Sequence, residues 1–140
     1  MPKIGRFLWG EWPQTETISS IDSWDSSEYW GCSFTDYLNA KHKRLVSFKL
    51  NKWIVLDTIS NFNSATLRWH LEDAEWLLNK NVLLSNDIKI TVEASNNVFV
   101  RLNKGWNSLY YSNKKKVTIL EIISDSFPSE IRTEVELLYP

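Results

Sequence analysis

Three side chains could carry chemistry through their own reactivity: two histidines, His42 and His70, and the single cysteine, Cys32. His70 lies in "ATLRWHL", where Ala65, Leu67, Trp69 and Leu71 alternate with Thr66, Arg68, His70 and Glu72. Period-two alternation puts the first set on one face of a strand and the second on the other, so His70 should point away from the core beside Arg68. An arginine fork and a histidine on one solvated face suit a sugar carboxylate, held by paired hydrogen bonds and by charge or proton transfer. The structural reading, a cross-strand hydrogen-bonding histidine, weighs more, because no nucleophile or second base completes a catalytic set. No catalytic residue is assigned.

His42, in "AKHKRL", shares a strand face with Arg44, Val46 and Phe48, a face that turns from polar to apolar and so suits the rim of a core. A metal role for His42 would need Asp57 or His70 nearby, and one cysteine with two histidines is too small a set for a Cys/His zinc site. No metal and no cofactor is expected. Cys32, in "YWGCSF", reads as a small buried hydrophobe between aromatics. Glu72 and Asp73 are adjacent, so on a strand they face opposite ways and cannot work as an acid/base pair.

The chain has eight tryptophans. Trp53 and Trp69 sit on apolar faces and are core candidates. Trp12, Trp24, Trp30 and Trp106, like Trp9, have polar or turn neighbours; they form either an aromatic platform for sugar rings or packing against a neighbouring domain, and both readings stay open. The basic run "NKKK" at 113–116 reads as a solvated turn.

These residues must be positioned by strands. From residue 42 onward the apolar spacing is mostly two, broken at short intervals by Asn, Asp, Ser and Gly. "HKRLVSFKL" and "WIVLDTI" read as a hairpin about Asn51-Lys52 whose second strand is central, being apolar on both faces. "EWLLNKNVLLS" is one bent strand or two short ones, and "DIKITVEA" alternates cleanly, with Ile88, Ile90 and Val92 inward. Eight to ten such segments predict an all-β, two-layer antiparallel β-sandwich, since one open sheet of that size would leave an apolar face wet. Residues 1–40, rich in Ser, Thr, Asp and Glu, read as a loop-rich lead-in, with the sandwich strands in 41–140.

With 140 residues and 43% hydrophobic content, a single domain is expected. A formal charge of -1 lacks the basic excess that binding a nucleic-acid backbone demands. No apolar run approaches a membrane span, and the polar start lacks the order of a signal peptide, so neither nucleic acid nor membrane is an expected partner. The compartment is not assigned.

Taken in order, several segments resemble the C-terminal part of the heparinase II/III-like polysaccharide lyase family. "GRFLWGEW" is similar to an aromatic-glycine segment, and "FTDYLNAKHKRLVSFKLNKWIVLDTI" to a His-x-Arg strand followed by a Trp-led strand ending in Asp. "LRWHLED", "GWNSLYYSNKKKVTILEI" and "FPSEIRTEVEL" are similar to the strands that follow. The resemblance implies an α/α-toroid joined to a large β-sandwich, and β-elimination of acidic polysaccharides such as glycosaminoglycan or alginate. It also implies that the toroid's base and uronate-neutralising residues, and the sandwich's His-Asn-Thr-type and metal-binding segments, would precede Gly5. The carried-over pattern is His42, Arg44, Trp69 and His70, flanking a sugar groove. The expectation is a non-catalytic scaffold, with acidic polysaccharide, a separate toroid domain or subunit, and a homo-oligomer as candidate partners. A free-standing carbohydrate-binding module and a protein-interaction sandwich are the alternatives.

Overall fold

The computed structural model describes residues 13–20, 29–108, 110–127 and 129–138; Trp9, Trp12 and Trp24 lie outside them. Among the described residues the alternating sequence forms eleven strands and no helix. They are β1 (Gln14–Ser20), β2 (Tyr29–Thr35), β3 (Lys41–Lys49), β4 (Lys52–Ser60), β5 (Ala65–His70), β6 (Leu77–Asn79), β7 (Val82–Leu84), β8 (Ile88–Ala94), β9 (Val98–Asn107), β10 (Lys115–Ser124) and β11 (Ser129–Leu137). They assemble into an eight-stranded sheet, β1-β2-β3-β4-β11-β8-β7-β6, and a three-stranded sheet, β5-β10-β9. The two layers make an antiparallel all-β sandwich.

The inward positions follow the alternation. Ile59 of β4, Ile131 of β11, Ile90 and Val92 of β8 and Leu83 of β7 meet Leu67 of β5 and Leu120 and Ile122 of β10. Leu120 and Ile122 are fully buried, each stabilising the sandwich by about 2 kcal/mol through area removed from water. β4 is interior, between β3 and β11, as its two-sided apolar pattern demands. The stretch 77–84 is two short strands joined at Lys80 and Asn81, and the β3–β4 turn is Leu50-Asn51, one residue earlier than the sequence suggested.

Three sequence expectations are corrected. Within the expected lead-in, 14–20 and 29–35 are strands pairing in register from Gln14↔Thr35 to Ser20↔Tyr29; β1 lies at the sheet edge, where polar β-branched residues such as Thr15 and Thr17 need no apolar face. Cys32 is exposed, and Trp53 is 46% exposed. Both lie on the inner face of the large sheet, beyond the reach of the narrower second layer.

Thr133 is fully buried on β11, and its hydroxyl has no hydrogen-bond partner among the described residues. Thr133→Val keeps the shape and removes the unsatisfied group, so it should stabilise the fold by about 1 kcal/mol, measured as a higher urea midpoint at unchanged slope.

Candidate functional site

Two charged clusters stand on the sandwich, and each begins as a lone charge in an apolar strand. On β4, Asp57 falls between Val55 and Ile59, so alternation turns its carboxylate inward, where it is 1% exposed. Register sets Arg44 opposite Asp57 and His42 opposite Ile59. Arg44 donates from Nε to Oδ1 at 2.7 Å and from Nη2 to Oδ2 at 3.0 Å, a bidentate fork. His42 Nε2 lies 2.6 Å from Oδ1; as Asp57 only accepts, the imidazole donates there. Burial alone would raise the Asp57 carboxyl, but the hydrogen bonds from His42 and Arg44 outweigh it and hold it below its ordinary value.

The imidazole packs edge-on against Phe34 at 5.5 Å. The Arg44 guanidinium stacks 4.9 Å from the Trp69 ring of β5, a cation–π contact between the two sheets. His42, Arg44 and Asp57 therefore form a saturated ionic staple at the rim of the core, as the sequence placed His42. Among the described residues no group of three His, Cys, Asp or Glu side chains is arranged to hold a metal.

The second cluster lies on the outer face of the small sheet. Register aligns Arg68 of β5, Glu121 of β10 and Arg101 of β9. Arg68 donates to Oε1 at 2.8 Å and Arg101 to Oε2 at 2.8 Å, with Asn103 adding a contact at 3.3 Å. Glu121 is 3% exposed, whereas the side chains of Arg68 and Arg101 are 57% and 49% exposed. The bonds from Arg68 and Arg101 pull the Glu121 carboxyl down to about 2. Its stabilising contribution is therefore complete above the ordinary glutamate range and fades only as pH falls towards that value. Two arginines on one carboxylate leave a surplus positive charge, with guanidinium N–H groups turned to solvent.

His70 is exposed on this same face, two residues from Arg68, with no hydrogen-bond partner among the described residues. The structure thus separates the four candidate sugar-facing residues: His42 and Arg44 are committed between the sheets, while Arg68 and His70 stand outside. Trp30 is 56% and Trp106 50% exposed, but they belong to different sheets, and the Trp106 ring carries the Lys114 ammonium at 4.9 Å. They do not form one platform.

Sequence reasoning passed over Glu121 and Arg101. Each is the lone charge in an apolar run, "VTILEII" and "VFVRL", and opposite lone charges on neighbouring strands were the available signal. A pocket of about 500 Å³ lies elsewhere, on the outer face of the large sheet. Lys43 and Arg132 line it together with Glu93 and Glu130, so it carries no net preference for an anion.

No protein-family model matches the sequence, and no curated protein sequence matches it significantly. Solved structures do match. A heparinase III, the BT4657 gene product, aligns over 89% of this chain with TM-score 0.75 at 16% identity. The fold is that of part of a heparinase III. A second structure of heparinase III aligns over 88% with TM-score 0.73 at 16% identity. A heparan sulfate lyase, HepC from Pedobacter heparinus, aligns over 89% with TM-score 0.69 at 13% identity. The chain spans about a fifth of those structures, 22%, 21% and 22% of their lengths.

Proposed function

We propose that this chain is the non-catalytic C-terminal sandwich of a heparinase II/III-like polysaccharide lyase assembly, forming one wall of an acidic-polysaccharide cleft beside a separate toroid domain or subunit. The observation that carries the reading is the likeness to heparinase III over nearly the whole of this sandwich. The wall's sugar-facing groups are His70, as a hydrogen-bonding ring, and Arg68 and Arg101, whose charge suits a uronate or sulfate. β-Elimination needs a base aimed at the proton beside the carboxylate and a second group that neutralises that carboxylate. His42 spends its Nε2 on Asp57, and His70 has no partner among the described residues to aim it, so neither histidine is a positioned base.

The purified chain should release no unsaturated uronate products from heparan sulfate or alginate, followed by their ultraviolet absorbance, and should show no saturable change in tryptophan fluorescence with either glycan. Product release that disappears in His70→Ala would overturn the non-catalytic assignment. Saturable glycan binding would favour a free-standing carbohydrate-binding module, the reading supported by the half-exposed Trp30.

A further inference from the structure

The small sheet is too narrow for the large one. Arg44 stacks on Trp69, which sets β5 over the β3–β4 side; at the opposite side, Leu102 and Lys104 of β9 share a pocket with Trp76 and Leu77, where β6 begins. Among the described residues, three strands therefore cover the large sheet from β4 to β6 except at the start of β4, where Trp53 stands, and the inner faces of β1, β2 and most of β3 extend beyond them. That uncovered floor is aromatic. Trp30 sits opposite Val46, Phe48 opposite Trp53, and the last two rings touch at 4.6 Å. Trp30, Phe48 and Trp53 are all about half exposed, a contiguous apolar surface of the kind that marks an interface.

The edge beside this floor is β5. Among the described residues β5 pairs only with β10. The Leu71 N–H donates to the Thr118 carbonyl, and in an antiparallel ladder inward- and outward-bonding residues alternate. Thr66, Arg68 and His70 therefore direct their N–H and C=O groups away from β10, at an edge that no strand completes among the described residues and that lies on the same side as the aromatic floor. An edge of this kind is a template for another strand.

We infer that β5 is a strand-acceptor edge, completed by an extended segment of a separate polypeptide that alternates apolar with acidic or polar residues. Its apolar side chains would rest on Trp30, Phe48 and Trp53, and its outward side chains would stand beside His70 and Arg68, whose guanidinium favours acidic neighbours. A second copy of this chain does not fit. Pairing two β5 strands antiparallel keeps both large sheets on the same side, and their overhanging β1–β3 portions would claim the same space. The inference rests on the lyase-wall reading only for the source of the strand: the heparinase structures extend well beyond the fifth of their length that this chain matches.

The test uses the intact chain and a synthetic ten-residue peptide alternating Val with Glu and Thr, against a peptide of the same composition with the alternation scrambled. In the chain alone, the Thr66, Arg68 and His70 amides should exchange with solvent quickly. The alternating peptide should slow all three at least tenfold, saturably, and shift the tryptophan fluorescence, whereas the scrambled peptide should not. Thr66→Pro removes an edge donor without touching the β10 ladder and should abolish the effect. Phe48→Glu, at an exposed position of the floor, should abolish it too, with the fold intact by circular dichroism. Slow exchange without peptide, equal response to the scrambled peptide, protection elsewhere, or a dimer on size-exclusion chromatography each overturns the inference. Glycan binding and uronate release are read on the chain without peptide, so failure of the lyase-wall reading is seen separately.

Discussion

Arg44→Leu should lower stability by about 3 kcal/mol at neutral pH and by far less near pH 3, because it leaves Asp57 buried with only His42 against its charge. In the native chain, burial of Asp57 is outweighed by the bonds from His42 and Arg44, and its carboxyl lies below the ordinary value. The native pair therefore stabilises above the ordinary carboxylate range, and that contribution is lost as pH falls through the lowered folded value. With the guanidinium gone, only His42 opposes burial, the largest influence on this carboxyl, and the folded-state value is expected to rise above that of the unfolded chain. The sign then reverses, and the deficit opens as pH climbs from the unfolded value towards the raised folded one.

A second substitution isolates the charge. Arg44→Leu/Asp57→Asn keeps the shape, leaves an amide that can still accept from His42, and should recover much of the loss with a flat pH response. Urea unfolding of the native chain and both variants at about pH 3, 5 and 7 measures this. A pH-independent deficit in Arg44→Leu would mean that the lost packing against Trp69 carries the effect.

What the sequence disclosed follows the range of each signal. Alternation is local, so "DIKITVEA" and "WIVLDTI" announced their inward faces, and His70 was placed outward with no structural help. Pairing across strands is non-local. Nothing within "ATLRWH" says that Arg68 will meet Glu121, 53 residues later, and nothing within "AKHKRL" says that His42 and Arg44 will meet on the Asp57 carboxylate. Trp53 and Cys32 were misjudged for a related reason: both lie on the inner face, and that face counts as core only where a second layer covers it. β1 escaped because a polar edge strand and a loop share one composition. The Leu50-Asn51 turn was misplaced because a leucine at φ 58° is a choice that local rules disfavour.

Gly31→Ala should cost about 3 kcal/mol, the upper end of what a single added methyl exacts in a filled site. A Cβ at Gly31 would overlap the Arg44 carbonyl oxygen and come within 2.9 Å of its carbonyl carbon and of the Leu45 side chain. A carbonyl in a strand ladder cannot step aside alone, so β2 must lift from β3. Gly105→Ala is the control: there the new methyl meets the Cδ1 and Cγ1 atoms of Ile119, the far end of a side chain that can turn, and the cost should be about 1 kcal/mol. Because among the described residues β1 pairs only with β2, the Gly31 variant should also lose amide protection throughout β1 and β2, while β4, β8 and β11 stay protected. The carbonyl that must yield belongs to Arg44, so the same variant should flatten the acid dependence attributed to Asp57 and, by displacing Trp30, remove one wall of the aromatic floor beside β5. Loss of stability with β1 and β2 still protected would show that the strain spreads through β3 into the ionic staple and leaves the edge hairpin attached.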